Sequence, residues 1–133
     1  EKDPYKDQKW ILKNLHPMDE KPQEVRDNYK VNEDTFGNML VALTEAVTNA
    51  IYHGNKSDPG KKIRIEYGCV HNTLTFTVAD EGPGFDFYHL PDPTAPENLE
   101  KECGRGIFLM KHLADQLIFS DGGRVVELNF KMS

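Results

Sequence analysis

No apolar run in this chain comes near the ~18 residues that a membrane-spanning helix needs, and nothing at its start has the pattern of a secretory signal. A membrane partner is therefore not expected. Cysteine is scarce. Cys69 and Cys103 have no metal-ligand spacing, and their positions, in a strand-like run and just before a glycine motif, do not favour a disulfide. Two free thiols suit a reducing cytoplasm. Excess positive charge is missing too: 16 Lys and Arg stand against 22 Asp and Glu, a formal net charge of −6. A nucleic-acid footprint is normally basic, so direct nucleic-acid binding is not expected either. There are no internal repeats and no low-complexity linker. The first residue is Glu1, not Met, as processing of a longer chain would leave it.

What remains is ordinary for a soluble globular protein: 133 residues, 38% hydrophobic and 29% charged, enough for one domain over residues 1–133 with a real core. WILKNL (Trp10 to Leu15) reads as a first strand stopped by His16-Pro17. Asp19 to Val31 is polar, with Pro22 able to open a short helix and only Val25 and Tyr29 as apolar anchors. Asn32 is a good N-cap, and Glu33 and Asp34 suit the positive end of a helix. Phe36, Leu40, Leu43, Val47 and Ile51 recur at helical spacing, which predicts one amphipathic helix from Phe36 to about His53, ended by Gly54. Two alternating runs follow: Ile63, Ile65, Tyr67 and Cys69, then Leu74, Phe76 and Val78, turning near His71-Asn72. Phe87 to Glu102 has three prolines and no period, so it reads as a lid-like loop. GRGIFLMKHLADQL is a glycine-led helix. The chain closes on LIFS, a turn at Asp121-Gly122-Gly123, and a strand with Val126, Leu128, Phe130 and Met132 on one face. Hairpins mixed with long helices predict an α+β sandwich, helices on one face of a mainly antiparallel sheet.

Three stretches could carry chemistry. Glu45 and Asn49 are four apart and share a helix side, predicted opposite the apolar stripe. Such a pair is either a solvated polar face or a carboxylate base beside an amide oxygen that can ligate Mg²⁺. In DEGPGFD, Asp80 to Asp86, Asp80 continues the inward parity of Leu74, Phe76 and Val78. It either caps a turn through its own backbone or waits for a ligand donor, with Gly82 and Gly84 letting a flat ring approach. Gly104-Arg105-Gly106 opens a helix, where free amides form an anion site, though glycines can equally serve as hinges. Arg105 is either a phosphate partner or a surface charge.

The order E-x-x-x-N, D-x-G-x-G after a hairpin, a proline-rich lid, then G-x-G opening a helix resembles the GHKL (histidine kinase-like) ATPase superfamily. Within it, the chain is most similar to the small anti-sigma-factor serine/threonine kinases. The text carrying the likeness is EAVTNAIYHGN (Glu45 to Asn55), DEGPGFD, LPDPTAPENL (Leu90 to Leu99) and GRGIFLMKHLAD (Gly104 to Asp115), within roughly Leu40 to Met132.

The resemblance implies a two-layer sandwich with a mainly antiparallel, mixed sheet, and ATP and Mg²⁺ as ligands. It implies that Asp80 accepts from the adenine amino group, Gly82 and Gly84 make room for the ring, Asn49 holds Mg²⁺, Gly104, Arg105 and Gly106 wrap the phosphates, and Glu45 is the base. The partners it implies are an anti-sigma-factor antagonist as substrate, a sigma factor, and a second copy in a homodimer. A module in which ATP only switches partner affinity, or one that binds no nucleotide, is the competing reading. The chain departs from the family pattern at three points. Gly123, Arg124 and Val125 stand where many relatives carry a threonine that helps hold adenine. Asp19 to Val31 is polar where relatives have an apolar helix used for dimer and sigma contacts, and Cys103 stands where glycine is frequent. His53, His71, His89 and His112 read as structural or surface residues, with His53 nearest the phosphates.

Overall fold

The alternating stretch from Ile63 to Val78 forms the middle of a sheet. The computed structural model describes residues 8–13, 21–58, 60–84 and 102–132. Strand β1 is Gln8–Lys13, β2 Lys62–Val70, β3 Thr73–Ala79, β4 Gln116–Ser120 and β5 Val125–Lys131. They lie in the order β1-β2-β3-β5-β4. Every pairing among the described residues is antiparallel, so the parallel component of a mixed sheet is not seen in this part of the chain. The β2–β3 turn falls at His71 and Asn72, with φ of 51° and 61°. Both central residues are thus left-handed, the conformation whose twist matches a two-residue hairpin. The strand expected at Trp10 to Leu15 runs from Gln8 to Lys13; residues 14–20 lie outside the described residues.

Among the described residues three α-helices accompany the sheet: α1 Lys21–Tyr29, α2 Glu33–Asn49 and α3 Glu102–Leu113. α2 packs on β3 and β5 and along α3, which gives the expected α+β arrangement. Its start is built as the sequence implies. Asn32 is extended, its side chain accepts from Thr35 N at 2.8 Å, and Glu33 and Asp34 occupy the first turn. The polar α1 is held by few but specific contacts. Val25 is fully buried, Asn28 donates to the Tyr67 hydroxyl at 3.1 Å, and the Arg26 guanidinium lies 4.9 Å from the centre of the Phe36 ring. No helix among the described residues is long and apolar enough to cross a membrane.

The buried face of α2 differs from the predicted stripe. Phe36, Leu43 and Val47 are buried as expected, but Met39, Ala42 and Ala46 join them, while Leu40 is 36% exposed. α2 is covered on two sides, by the sheet and by α3, so its apolar band is wider than one stripe and rotated from it. The helix also does not run on unchanged to His53. From Ala50 to Gly54 the backbone widens into a π turn, marked by the bond from Asn55 N to Ala50 O at 2.8 Å. Such single π turns insert one extra residue and commonly sit at functional sites. Here the turn brings Gly54 and Asn55 against the end of β3. The core between helices and sheet is filled by Met39, Leu43, Ile65, Leu74, Phe76, Met110, Leu128 and Phe130, all nearly inaccessible to solvent. Phe76 and Phe130 meet edge to face at 6.1 Å between ring centres.

Candidate functional site

Between the last turns of α2, the π turn, α3 and the ends of β3 and β5 lies a cavity of about 120 Å³. Val78, Ile107, Met110, Phe119 and Val126 give it apolar walls, and Asp80, Asn49, His53 and Arg124 supply polar edges. An apolar slot with a few convergent polar groups is the usual form of a small-molecule site.

Asp80, half-buried, ends that slot. Its inward parity is as the sequence implied, because β3 ends at Ala79 and the next side chain follows Val78 into the cavity. One carboxylate oxygen takes the turn-capping role, and the other is left over from it. Oδ1 accepts from Gly82 N at 2.8 Å, whereas Oδ2 has no donor among the described residues and lies against Gly54. Burial pushes the Asp80 carboxyl above its ordinary value. The bond from Gly82 N–H and the charges of Arg124 and Lys61 pull the other way without cancelling it.

The glycines of this loop satisfy demands within the protein. A Cβ on Gly82 would stand 1.8 Å from Gly54 O, so the 80–84 loop and the π turn touch backbone to backbone. Gly84 has φ +85°, and a Cβ there would stand 2.2 Å from Gly122 O. Gly84 lines the cavity; Gly82 does not, and holds Asp80 from behind. We expect Gly82→Ala to separate loop from π turn and cost about 1–3 kcal/mol or more, the penalty of overpacking. Urea unfolding measures it, and a midpoint equal to wild type would show that the contact yields freely.

Asn55, at the end of EAVTNAIYHGN, has a structural role that its sequence does not announce. It is wholly buried, its Nδ2 donates to Lys62 O at 3.2 Å, and its Oδ1 accepts from Glu81 N at 2.7 Å. Glu81 Oε1 in turn accepts from Lys62 N at 2.6 Å. One buried amide thus ties the π turn, the start of β2 and the residue after Asp80. Asn55→Ala leaves the part-buried Glu81 N–H and Lys62 C=O without this partner and should cost about 1–3 kcal/mol. A thermal melt within a degree of wild type would refute this bracing role.

The Glu/Asn face of α2 is not a solvated face opposite the core. Glu45 and Asn49 are both half-buried and point along α3. A Cβ built on Gly106 would sit 3.1 Å from Glu45 Oε2 and 3.2 Å from Asn49 Oδ1, so the two side chains converge on one spot beside α3. Gly106 keeps that spot open. α3 starts at Glu102, two residues before the glycine motif, so Gly104 lies in the first turn and Gly106 follows it. Gly104 is therefore among the first-turn amides that lack helical partners. Arg105 is exposed. Most of the lid expected at Phe87 to Glu102 lies outside the described residues. Among the described residues no three His, Cys, Asp or Glu side chains form a metal cage. A divalent ion at Asn49 Oδ1 would take its other ligands from phosphate oxygens and water, as Mg²⁺ commonly does.

Sequence reasoning gave no role to the apolar walls, whose residues read as ordinary core, and met Arg124 only as a departure from the family pattern. The fold defines an α+β sandwich with a ligand slot between its helix layer and the ends of its strands. The chain belongs to the histidine kinase-like ATPase domain family, whose profile matches residues 12–130. It is 36% identical over 100 residues to the serine-protein kinase RsbW of Bacillus cereus (strain AH820), which takes in 70% of this chain and 62% of that protein. The same figures hold for the proteins of that name from Bacillus anthracis (strain A0248) and Bacillus thuringiensis (strain Al Hakam). The chain thus spans 62% of the length of these curated relatives.

Proposed function

We propose that the chain is an ATP-dependent serine/threonine protein kinase, which phosphorylates an anti-sigma-factor antagonist and sequesters a sigma factor. The observation that carries this is the convergence of Glu45 Oε2 and Asn49 Oδ1 at Gly106, beside a slot ended by the half-buried carboxylate of Asp80. Asp80 Oδ2 accepts from the exocyclic amine of adenine, and the apolar walls exclude water from the ring. Asn49 Oδ1 holds Mg²⁺, and the first-turn amides of α3 at Gly104, with Arg105 and the open position at Gly106, receive the phosphates. When bound, Mg²⁺ neutralises charge on the transferring phosphoryl group. Glu45 Oε2 takes the proton of a serine hydroxyl presented by the antagonist. Phosphoryl transfer asks mainly for positioning and charge neutralisation, so these few groups are sufficient. The proposed partners are therefore proteins, the antagonist, the sigma factor and a second copy of this chain, not nucleic acid or membrane. We assign it to the cytoplasm, where ATP is available.

The test is incubation with γ-labelled ATP and small antagonist proteins, followed by location of the label. Label on an antagonist serine or threonine supports the kinase. Bound ATP with no label on any cognate antagonist would make the domain a nucleotide-controlled binding module instead.

A further inference from the structure

The geometry points to Arg124 as a positioning residue for recognition of the base, acting through the loop that carries Asp80. This rests on the ATP-binding reading above and goes beyond it, since it concerns a side chain that stands where many relatives have threonine.

Each guanidinium nitrogen of Arg124 donates to a different backbone carbonyl. Nε reaches Gly82 O at 2.9 Å, NH2 reaches Pro83 O at 3.1 Å, and NH1 reaches Asp121 O at 3.0 Å. Arg124 O also accepts from Asp80 N at 2.9 Å. The bonds form a relay: Arg124 holds the carbonyl of Gly82, and the N–H of Gly82 holds Oδ1 of Asp80. With Oδ1 anchored, the carboxylate is fixed as a whole, and Oδ2 is held beside Gly54, which also lines the cavity. A second contact supports the same clamp, because Gly84 packs on the Gly122 carbonyl, bringing the 80–84 loop against the turn before β5. The accompanying ion pair, Arg124 NH1 to Asp121 Oδ1 at 3.8 Å, adds little, since Asp121 is largely exposed.

The side chain of Arg124 is 38% exposed and lines the cavity rather than the core. Its loss therefore loosens a loop without emptying the interior. A planar fork with spread donors suits three separate carbonyls; a lysine carries all its donors on one nitrogen and cannot span them. The positive charge beside Asp80 is a second contribution, and lysine retains that one. The two substitutions are thus expected to differ.

The experiment measures KM and kcat for ATP and GTP, with calorimetric binding, in wild type, Arg124→Ala and Arg124→Lys. In Arg124→Ala, KM for ATP rises about 10- to 30-fold, in line with losing roughly one charge-assisted hydrogen bond of positioning. kcat at saturation stays within about twofold, because the interaction acts on binding and not on the transfer step. Preference for ATP over GTP falls, which a general loss of folded protein does not produce. Arg124→Lys recovers part of the affinity. Amide exchange at Glu81, Gly82 and Gly84 speeds up in Arg124→Ala with no nucleotide present. Unchanged KM and base preference in Arg124→Ala overturn the inference, as does a fall in kcat with KM unmoved. If Arg124→Ala does not fold, Arg124→Lys carries the same readouts. Wild type that binds no adenine nucleotide sinks the functional reading and this inference together. Wild type that binds while the variants match it sinks this inference alone.

Discussion

Asp80→Asn is expected to lose most adenine-nucleotide affinity while leaving the fold at least as stable as wild type. The asparagine keeps an oxygen for the Gly82 N–H but puts an amide donor where Oδ2 stood, facing the ligand amine. Mismatching a charged hydrogen bond costs about 1.5–3 kcal/mol, roughly 10- to 150-fold in affinity. Stability moves the other way. Burial raises the Asp80 pKa in the fold above its ordinary value of 3.8. Its contribution to stability is therefore fully present below the unfolded value and is lost as pH rises through the folded one. At pH 7 wild type carries that loss; asparagine, which does not ionise, avoids it. The melting temperature of Asp80→Asn should thus equal or exceed that of wild type at pH 7, and the gap should close as pH falls toward 3.8. Calorimetry and melts on one pair of samples check both halves. Equal ATP affinity would remove Asp80 from the base site, and a lower melting point at pH 7 would contradict the burial argument. A stabilising change that destroys binding is the usual mark of a residue kept for function.

Much of this arrangement could be read before the fold was seen, for reasons that differ by element. The β2–β3 hairpin was legible because period-two burial is strict there: Ile63, Ile65, Leu74, Phe76 and Val78 are all at most 1% exposed. Asp80 followed from the same parity, since a strand carries its alternation one residue past its end. The start of α2 was legible because its cap is local chemistry between Asn32 and Thr35. The wrong face assigned to Leu40 came from counting one stripe on a helix that has two neighbours. The π turn left no trace in hydrophobic period, because it is set by what Gly54 and Asn55 touch far along the chain. Gly82 and Gly84 read as space for a ligand, whereas the close backbone of Gly54 and Gly122, which a Cβ at either would meet, left no trace in the sequence. Arg124 was visible only as a departure from a pattern, and its three carbonyl partners, at residues 82, 83 and 121, are decided by tertiary structure.

Glu45→Gln is expected to give the largest effect on activity, with little effect on binding. The glutamine keeps the size and the packing beside Gly106 but removes the proton acceptor, so affinity for Mg·ATP should survive. Transfer should fall by about 10²–10⁴-fold, the usual worth of a positioned general base. The lower end applies if the transition state is loose and asks little of a base. Asn49→Ala should fail differently, weakening both binding and transfer, because the amide oxygen would serve the bound ion in each. Two residues on one helix face, whose oxygens would lie 3.1 and 3.2 Å from a Cβ on Gly106, should thus be separable by function.

Single-turnover phosphorylation of a cognate antagonist at saturating Mg·ATP, comparing wild type with Glu45→Gln, tests the kinase assignment most directly. The account predicts transfer to a serine or threonine by wild type and a loss of at least about a hundredfold in the variant, with nucleotide affinity retained. Equal rates in the two proteins, or no transfer by wild type that binds ATP, would contradict it.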